Sequence, residues 1–459
     1  MNRFALALAL LMPVAIDGGL VVEAIPAVLI AEKKEELGID DIERLTKEAE
    51  EEEEAGNYQK AIDILEQILA IEEKGLGPEH PDVAGTLSWI GNILNNYLGL
   101  HDNSETVFLR ALAIREKVLG KEHVNVGASL NNLAQVYQNQ GLYKKAESLQ
   151  LQALEIYEKA LGPEHSAIAN KLTGLSSFYQ RQGSYSKAEP FLRRGLKLNL
   201  IFIQQEVPYL VLSERTSFVR NIDSNGAFEQ SFSIGFNKKL SLFSRLNKQG
   251  LLEEIEKRQA QLVALPGTQQ EIAQELRGVN QQLSSTKLKN EQRESLNRQK
   301  EELERKLFRL LPKLKPRIVE INQVAKVIPL NGVLLEFQRY SQYLGLDIVN
   351  NWTEGRYLAL SLNPKGEISS VDLGPAEPIE QKIQQALTAS EQRLADAQDL
   401  WNEVGELVIK PLGKAIGDAQ TLFISPDAEL NRIPFAALSS HKEDQLLGDA
   451  VNIRLLTTG

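Results

Sequence analysis

The chain has 459 residues, 42% hydrophobic and 25% charged, a composition that sustains several packed domains and excludes wholesale disorder. It holds no cysteine and five histidines, which excludes a disulfide framework, a thiolate metal site or a cysteine nucleophile within these residues. The net charge of −11 is local: residues 31–80 carry 17 acidic and 6 basic side chains around the run Glu50 to Glu54, a solvated acidic face that argues against a nucleic-acid partner.

Residues 1–27 read as a signal peptide. Arg3 precedes the apolar stretch Phe4 to Ile16, which is too short to span a bilayer, and small residues close the motifs ending at Ala24 and Ala27. That reading places the protein in the periplasm or cell envelope. The competing readings are an apolar helix packed on the first repeat of a cytoplasmic protein, or an alternative start site. No stable membrane span is expected on any of them, and residues 28–39 are a linker.

An internal repeat organises residues 40–198. Leu76-Gly77-Pro78-Glu79-His80 recurs at Leu119–His123 and Leu161–His165, with the glycines 43 and 42 residues apart. A second marker runs in step: Gly56-Asn57-Tyr58 with Ala61, Gly141-Leu142-Tyr143 with Ala146, and Gly183-Ser184-Tyr185 with Ala188. Gly99 stands for the missing copy. Each unit is expected to be a pair of antiparallel helices. The glycine would end the first helix in a left-handed conformation, the tyrosine would fill the gap between helices, and the alanine would let the second helix pack closely. His80, His123 and His165 fall at one equivalent loop position, which suits a capping role better than a shared metal site.

The pattern resembles tetratricopeptide repeats, specifically the 42-residue kind found in kinesin light chains, on the strength of Ser129-Leu130-Asn131-Asn132-Leu133-Ala134 and the following Gln135-Val136-Tyr137. The second repeat departs from it, with Ser88-Trp89-Ile90-Gly91 in place of the asparagine pair and His101 in place of the tyrosine. The resemblance implies a solenoid whose groove binds a peptide or helix of a partner protein. It makes Asn131 the leading groove residue, with Gln135 one turn along the same helix face. The equivalents of Asn131 are Ser88 and Thr173, so the groove is not a uniform asparagine ladder.

Residues 199–249 read as an irregular helical connector around Pro208, helical again from Leu240 to Leu246. Residues 250–319 read as a coiled-coil-like helical hairpin or three-helix arrangement with apolar heptad spacing at Ile272, Leu276, Val279 and Leu283. Pro266-Gly267 breaks it once, and Ser284-Ser285-Thr286 again. From 320 the period changes. Strands are expected at 332–337, 356–362, 367–373, 421–426 and 451–456, with two helices over 377–415, an α/β layer pattern.

Four stretches of this last region, Gly332–Tyr340, Val371–Gly374, Leu422–Leu438 and Ile453–Gly459, resemble a CHAT domain, the caspase-like domain that accompanies tetratricopeptide repeats. The order of repeats, connector and CHAT domain is usual for bacterial members, many of them cyanobacterial. The family's chemistry is that of cysteine peptidases, with a histidine base and a cysteine nucleophile in motifs beyond the last of these stretches. The resemblance therefore implies that residues 320–459 are the N-terminal part of a CHAT domain cut before its catalytic motifs, leaving an open sheet edge and an uncovered apolar face. His441 lies in a hydrophilic loop outside any match to the histidine motif. Ala428 stands where a glycine is usual and is expected to alter the turn. The carboxylate pairs Asp347 with Glu354 and Asp427 with Glu429 are expected to be solvated loop residues.

The fold class expected is therefore multidomain: an all-α tetratricopeptide solenoid and helical connector, then a partial α/β caspase-like domain. No catalytic, cofactor-binding or metal residue is assigned, and no cofactor is expected. The function expected is protein–protein interaction without catalysis by this chain. Two alternatives are a fragment of a CHAT-family cysteine peptidase, active only with a missing C-terminal part, and an exported scaffold protein of the cell envelope.

Overall fold

The computed structural model describes residues 39–222, 226–232, 237–267, 269–284, 288–343, 352–440 and 445–456. The signal-peptide reading of residues 1–27, Asp347 and His441 lie outside them. Contacts divide the chain into two compact units, Met1–Ile156 and Tyr157–Gly459.

The first unit is built from tandem helix pairs. Its helices are α1 (Ile39–Glu54), α2 (Tyr58–Leu76), α3 (Pro81–Asn96), α4 (His101–Leu119), α5 (Val124–Asn139) and α6 (Tyr143–Leu161), which runs over the unit boundary. Gly56, Gly99 and Gly141 sit at the turns inside the pairs with φ of 79°, 66° and 77°, the left-handed region that stops a helix. Ala61 and Ala146 are fully buried, as close helix packing requires. Apolar residues three and four apart put Ile42, Leu45 and Ala49 of α1 against Ile62, Leu65 and Ile68 of α2 and Ile90 and Ile93 of α3.

One local expectation comes out differently and another holds. Two tyrosines do not plug the pairs, Tyr143 and Tyr185 being 47% and 37% exposed, while Tyr58 packs half-buried against the core of α1, α2 and α3 and stacks on Tyr97 with ring centroids 4.2 Å apart. The packing space is already taken by the buried alanine one turn later. The loop histidines, by contrast, prove to be helix N-caps. His80, His123 and His165 each precede a helix, and each Nδ1 accepts the backbone N–H two residues on, at 3.3, 3.1 and 3.1 Å. The imidazole does here what serine or aspartate does at other helix starts.

The second unit continues with α7 (Ser166–Arg181) and α8 (Tyr185–Glu206), the latter running through the apolar stretch at 200–203. A 3-10 turn over Val207–Tyr209 carries Pro208 and leads to α9 (Leu212–Ile222), α10 (Ala227–Gln230) and α11 (Lys238–Lys248). Three helices follow, α12 (Leu251–Ala264), α13 (Gln269–Leu283) and α14 (Asn290–Leu310). Their joint core is Ala273, Leu307, Phe308 and Leu311 with Leu262, Val263, Ile272 and Leu276. A short α15 (Ile321–Ala325) precedes the sheet.

The sheet has five strands among the described residues: β1 (Gly332–Tyr343), β2 (Trp352–Leu362), β3 (Ile368–Pro375), β4 (Thr421–Ser425) and β5 (Asn452–Leu455). Their order is β3-β2-β1-β4-β5. β1 pairs antiparallel with β2, and β2 with β3, while β1, β4 and β5 run parallel. Helices α16 (Ala376–Glu391) and α17 (Ala397–Val408) make the crossover to β4. A short α18 (Gly413–Ile416) precedes β4, and a short α19 (Leu447–Ala450) precedes β5.

Strand alternation explains what covers each face. Val333, Leu335 and Phe337 of β1 and Tyr357 and Ala359 of β2 pack with Ile379, Ile383, Trp401 and Val404 of α16 and α17. On the other face, Leu334, Tyr340, Leu358 and Leu360 pack with Leu196 and Leu200 of α8 and Leu240 and Phe243 of α11. The expected uncovered apolar face is therefore corrected: α8, the last repeat helix, and α11 of the connector cover it. The outer strands β3 and β5 each pair on one side only among the described residues, and Leu455 of β5 is 53% exposed.

Candidate functional site

The two residues singled out for a groove lie on α5, four apart and on one face. Asn131 is half-buried, and its side-chain amide makes no hydrogen bond among the described residues. Its sequence equivalents are closed off. Ser88 is 8% exposed with Oγ bonded to the Ala84 carbonyl at 2.7 Å, and Thr173 is 1% exposed with Oγ1 on the Ala169 carbonyl at 2.9 Å. Asn131 thus keeps unspent donors and an acceptor where its counterparts have used theirs on their own helix. Gln135 is also half-buried and donates through Nε2 to Asn139 Oδ1 at 2.9 Å. Asn139 and Asn95, missed in the sequence, join it by the 3.2 Å bond from Asn139 Nδ2 to Asn95 Oδ1. Trp89 reaches the acidic helix, donating its indole N–H to Glu53 Oε2 at 2.6 Å.

One position recurs between successive helix pairs with changed chemistry. Thr86 donates to Glu72 at 2.8 Å, Arg115 donates to Ser129 Oγ at 2.6 Å, and Lys171 lies 4.7 Å from the Tyr157 ring centroid. Glu72 is 7% exposed, and burial pushes its carboxyl up to about 7 against the smaller opposing effect of the Thr86 bond. Burial likewise holds the Lys171 amine below its ordinary range.

The second unit has one dense polar cluster, organised by Arg245 of α11. The side chain is 1% exposed. It donates through Nε to Glu336 Oε2 at 3.0 Å, through Nη1 to Gln249 at 2.5 Å and Gln338 at 3.3 Å, and through Nη2 to the Pro426 carbonyl at 3.0 Å and Ser425 Oγ at 3.3 Å. Asp427 Oδ1 is 3.6 Å from Nη1. Glu336 and Gln338 reach the arginine because they share the β1 face of Leu334 and Tyr340, which α11 covers. Burial raises the Glu336 carboxyl, while Arg245 pulls it down.

Asp427 corrects a second expectation. It is no solvated loop residue: Oδ2 accepts from Gln338 Nε2 at 3.0 Å and from the Arg339 backbone N–H at 2.7 Å. Glu429 is bound to its neighbour Arg432 at 2.9 Å, so the two carboxylates are not paired as an acid and base. Ala428 between them lies in the left-handed region that suits glycine, with φ of 48°, so backbone strain sits in the alanine. On the other side of β1, Arg339 donates to Glu380 at 2.8 Å, which also accepts from the Tyr357 hydroxyl at 3.0 Å. Glu336, Asp427 and Glu380 are thus engaged with β1 and its packing partners, while the Glu429 pair is local to its own turn. Among the described residues, no three His, Asp or Glu side chains converge as a metal site, and no helix is long and apolar enough to cross a membrane.

Comparison with known proteins assigns both regions. Residues 82–159 and 127–200 match the tetratricopeptide repeat family, as do residues 53–82, and residues 397–459 match the CHAT domain. Similar solved structures include two of kinesin-light-chain TPR-like repeats from Podosopora anserina. One is 22% identical over 40% of this chain and 96% of its own, with a TM-score of 0.31. The other is 23% identical over 49% and 98%, with a TM-score of 0.32. BtubC (BKLC) from P. vanneervenii is 20% identical over 43% of this chain and 80% of its own, with a TM-score of 0.34. No curated protein matches the chain. Tetratricopeptide repeats between residues 53 and 200, followed by a CHAT domain segment from 397, are what the chain carries.

Proposed function

We propose that this chain is a protein-binding module whose repeats hold an extended segment of a partner against α5. The observation that carries the reading is the half-buried, unspent amide of Asn131 beside Gln135. A peptide backbone offers one N–H and one C=O per residue and needs partners for both when it leaves water, and side-chain amides supply both kinds. The CHAT-type segment is proposed to contribute a packed α/β body rather than catalysis by these residues. A second reading, cysteine-peptidase chemistry, has the CHAT match behind it. With no cysteine among the 459 residues, its nucleophile would have to come from outside them.

The test is selection of phage-displayed random 12-residue peptides on the full chain, followed by titration of an enriched peptide against wild type and Asn131→Ala. Loss of about tenfold in affinity, roughly 1.4 kcal/mol, is expected. Equal affinity for both proteins would remove Asn131 from the binding surface.

A further inference from the structure

Four polar side chains of the first unit form a single hydrogen-bonded chain that ends at Gln135. Asn95, near the end of α3, is 5% exposed. Its Oδ1 lies 2.9 Å from His101 Nδ1 and 3.2 Å from Asn139 Nδ2, and its Nδ2 donates to Asn96 Oδ1 at 2.9 Å. Asn139 Oδ1 accepts from Gln135 Nε2 at 2.9 Å. With Asn95 Oδ1 facing it, the ring nitrogen donates in the Nδ1–H tautomer of His101. The direction of every later bond follows. Asn95 Oδ1 takes a bond from each side, Asn139 must turn its nitrogen to Asn95 and its oxygen to Gln135, and Gln135 must turn its nitrogen inward. Reversing any one amide would set donor against donor or acceptor against acceptor beside a buried residue. At the end of the chain, Gln135 Oε1 has no partner among the described residues.

His101 occupies the first position of α4, the position held by Tyr58, Tyr143 and Tyr185 in the other helix pairs. A phenol at that place has no nitrogen to aim at Asn95. The departure from the repeat pattern thus coincides with the origin of the hydrogen-bonded chain.

We propose that His101, acting through Asn95 and Asn139, is a positioning residue that fixes Gln135 Oε1 as an acceptor for a backbone N–H of an extended peptide. This rests on the reading of α5 as the peptide site. Asn131, one turn away, keeps the donors that a neighbouring ligand carbonyl needs.

The experiment uses the enriched 12-residue peptide and its single N-methyl derivatives, titrated against the full chain as wild type, His101→Phe, Gln135→Ala and the double variant. His101→Phe and Gln135→Ala are each expected to weaken binding about five- to tenfold, and the double variant no further, because both act on one bond. One N-methyl derivative should bind wild type about tenfold more weakly than the parent peptide, yet bind His101→Phe no worse than the parent does, a pattern that a merely structural histidine would not produce. Unchanged affinity in His101→Phe, with loss in Asn131→Ala and Gln135→Ala, would overturn the positioning role and leave the peptide site standing. Unchanged affinity in all the variants would overturn both.

Discussion

Polar side chains are used in opposite ways in the two units. On α5, Asn131 and Gln135 stay half-buried with bonding capacity left over. Beneath the sheet, Arg245, Glu336, Gln338 and Asp427 are closed in on one another, with the arginine 1% and the glutamate 7% exposed. A group at the edge of solvent gives up water for a ligand at small cost. A buried ion pair already paid for its desolvation during folding and has nothing left to offer a ligand. The first arrangement suits recognition. The second suits fixing one register of helix α11 against β1 and β4.

The largest expected effect breaks that second arrangement. Arg245→Ala leaves Glu336 buried without its cation and should destabilise the second unit by about 3–5 kcal/mol in chemical denaturation. Hydrogen exchange should rise over 421–438 and stay unchanged in α1–α5. Arg245→Met with Glu336→Met removes both charges and should recover most of the loss, whereas a double variant as unstable as the single one would show that the charges themselves hold the fold.

Glu72 gives the next effect, in the first unit. The folded protein holds its proton more tightly than the unfolded chain does. Its contribution is intact below the ordinary 4.5 and is lost as the pH rises through about 7. Glu72→Gln keeps an acceptor for Thr86 and removes the charge. It should be more stable than wild type by about 2–3 kcal/mol at pH 8 and equal to it near pH 4. Denaturation curves at the two pH values decide the matter.

Smaller effects sharpen the contrast. Asn131→Ala should change stability by less than about 0.5 kcal/mol, since it breaks no bond in the free protein. His123→Ala removes a helix cap and should cost about 1 kcal/mol in thermal unfolding. Ala428→Gly relieves a left-handed alanine and should stabilise by up to about 1 kcal/mol.

What the sequence made legible was local. Glycines 43 and 42 residues apart announced helix pairs, and Gly56, Gly99 and Gly141 adopt the left-handed turn that the pattern requires. Strand positions followed from the change of period after residue 320, and the turn between β2 and β3 places Gly366 at φ of 81°. What was not legible depended on partners far along the chain. Arg245 and Glu336 are 91 residues apart, and Asp427 lies beyond both. A signal was present: one arginine within the helical stretch Leu240 to Leu246, and one glutamate within the apolar strand from Val333 to Phe337. Opposite charges in two buried runs call for each other. The uncovered face was misjudged for the same reason, because the helices that cover it, α8 and α11, lie far before β1 in the chain. In the groove, Asn131 could be named from its motif, but Asn95 could not, because its role comes from the neighbouring repeat through Asn139 and His101.

The most direct measurement is a crystal structure of the full chain with the enriched 12-residue peptide bound. The account expects the peptide extended along α5, a backbone carbonyl at the Asn131 amide and a backbone N–H at Gln135 Oε1. A peptide seated anywhere else, with Asn131 and Gln135 still facing solvent, would contradict it.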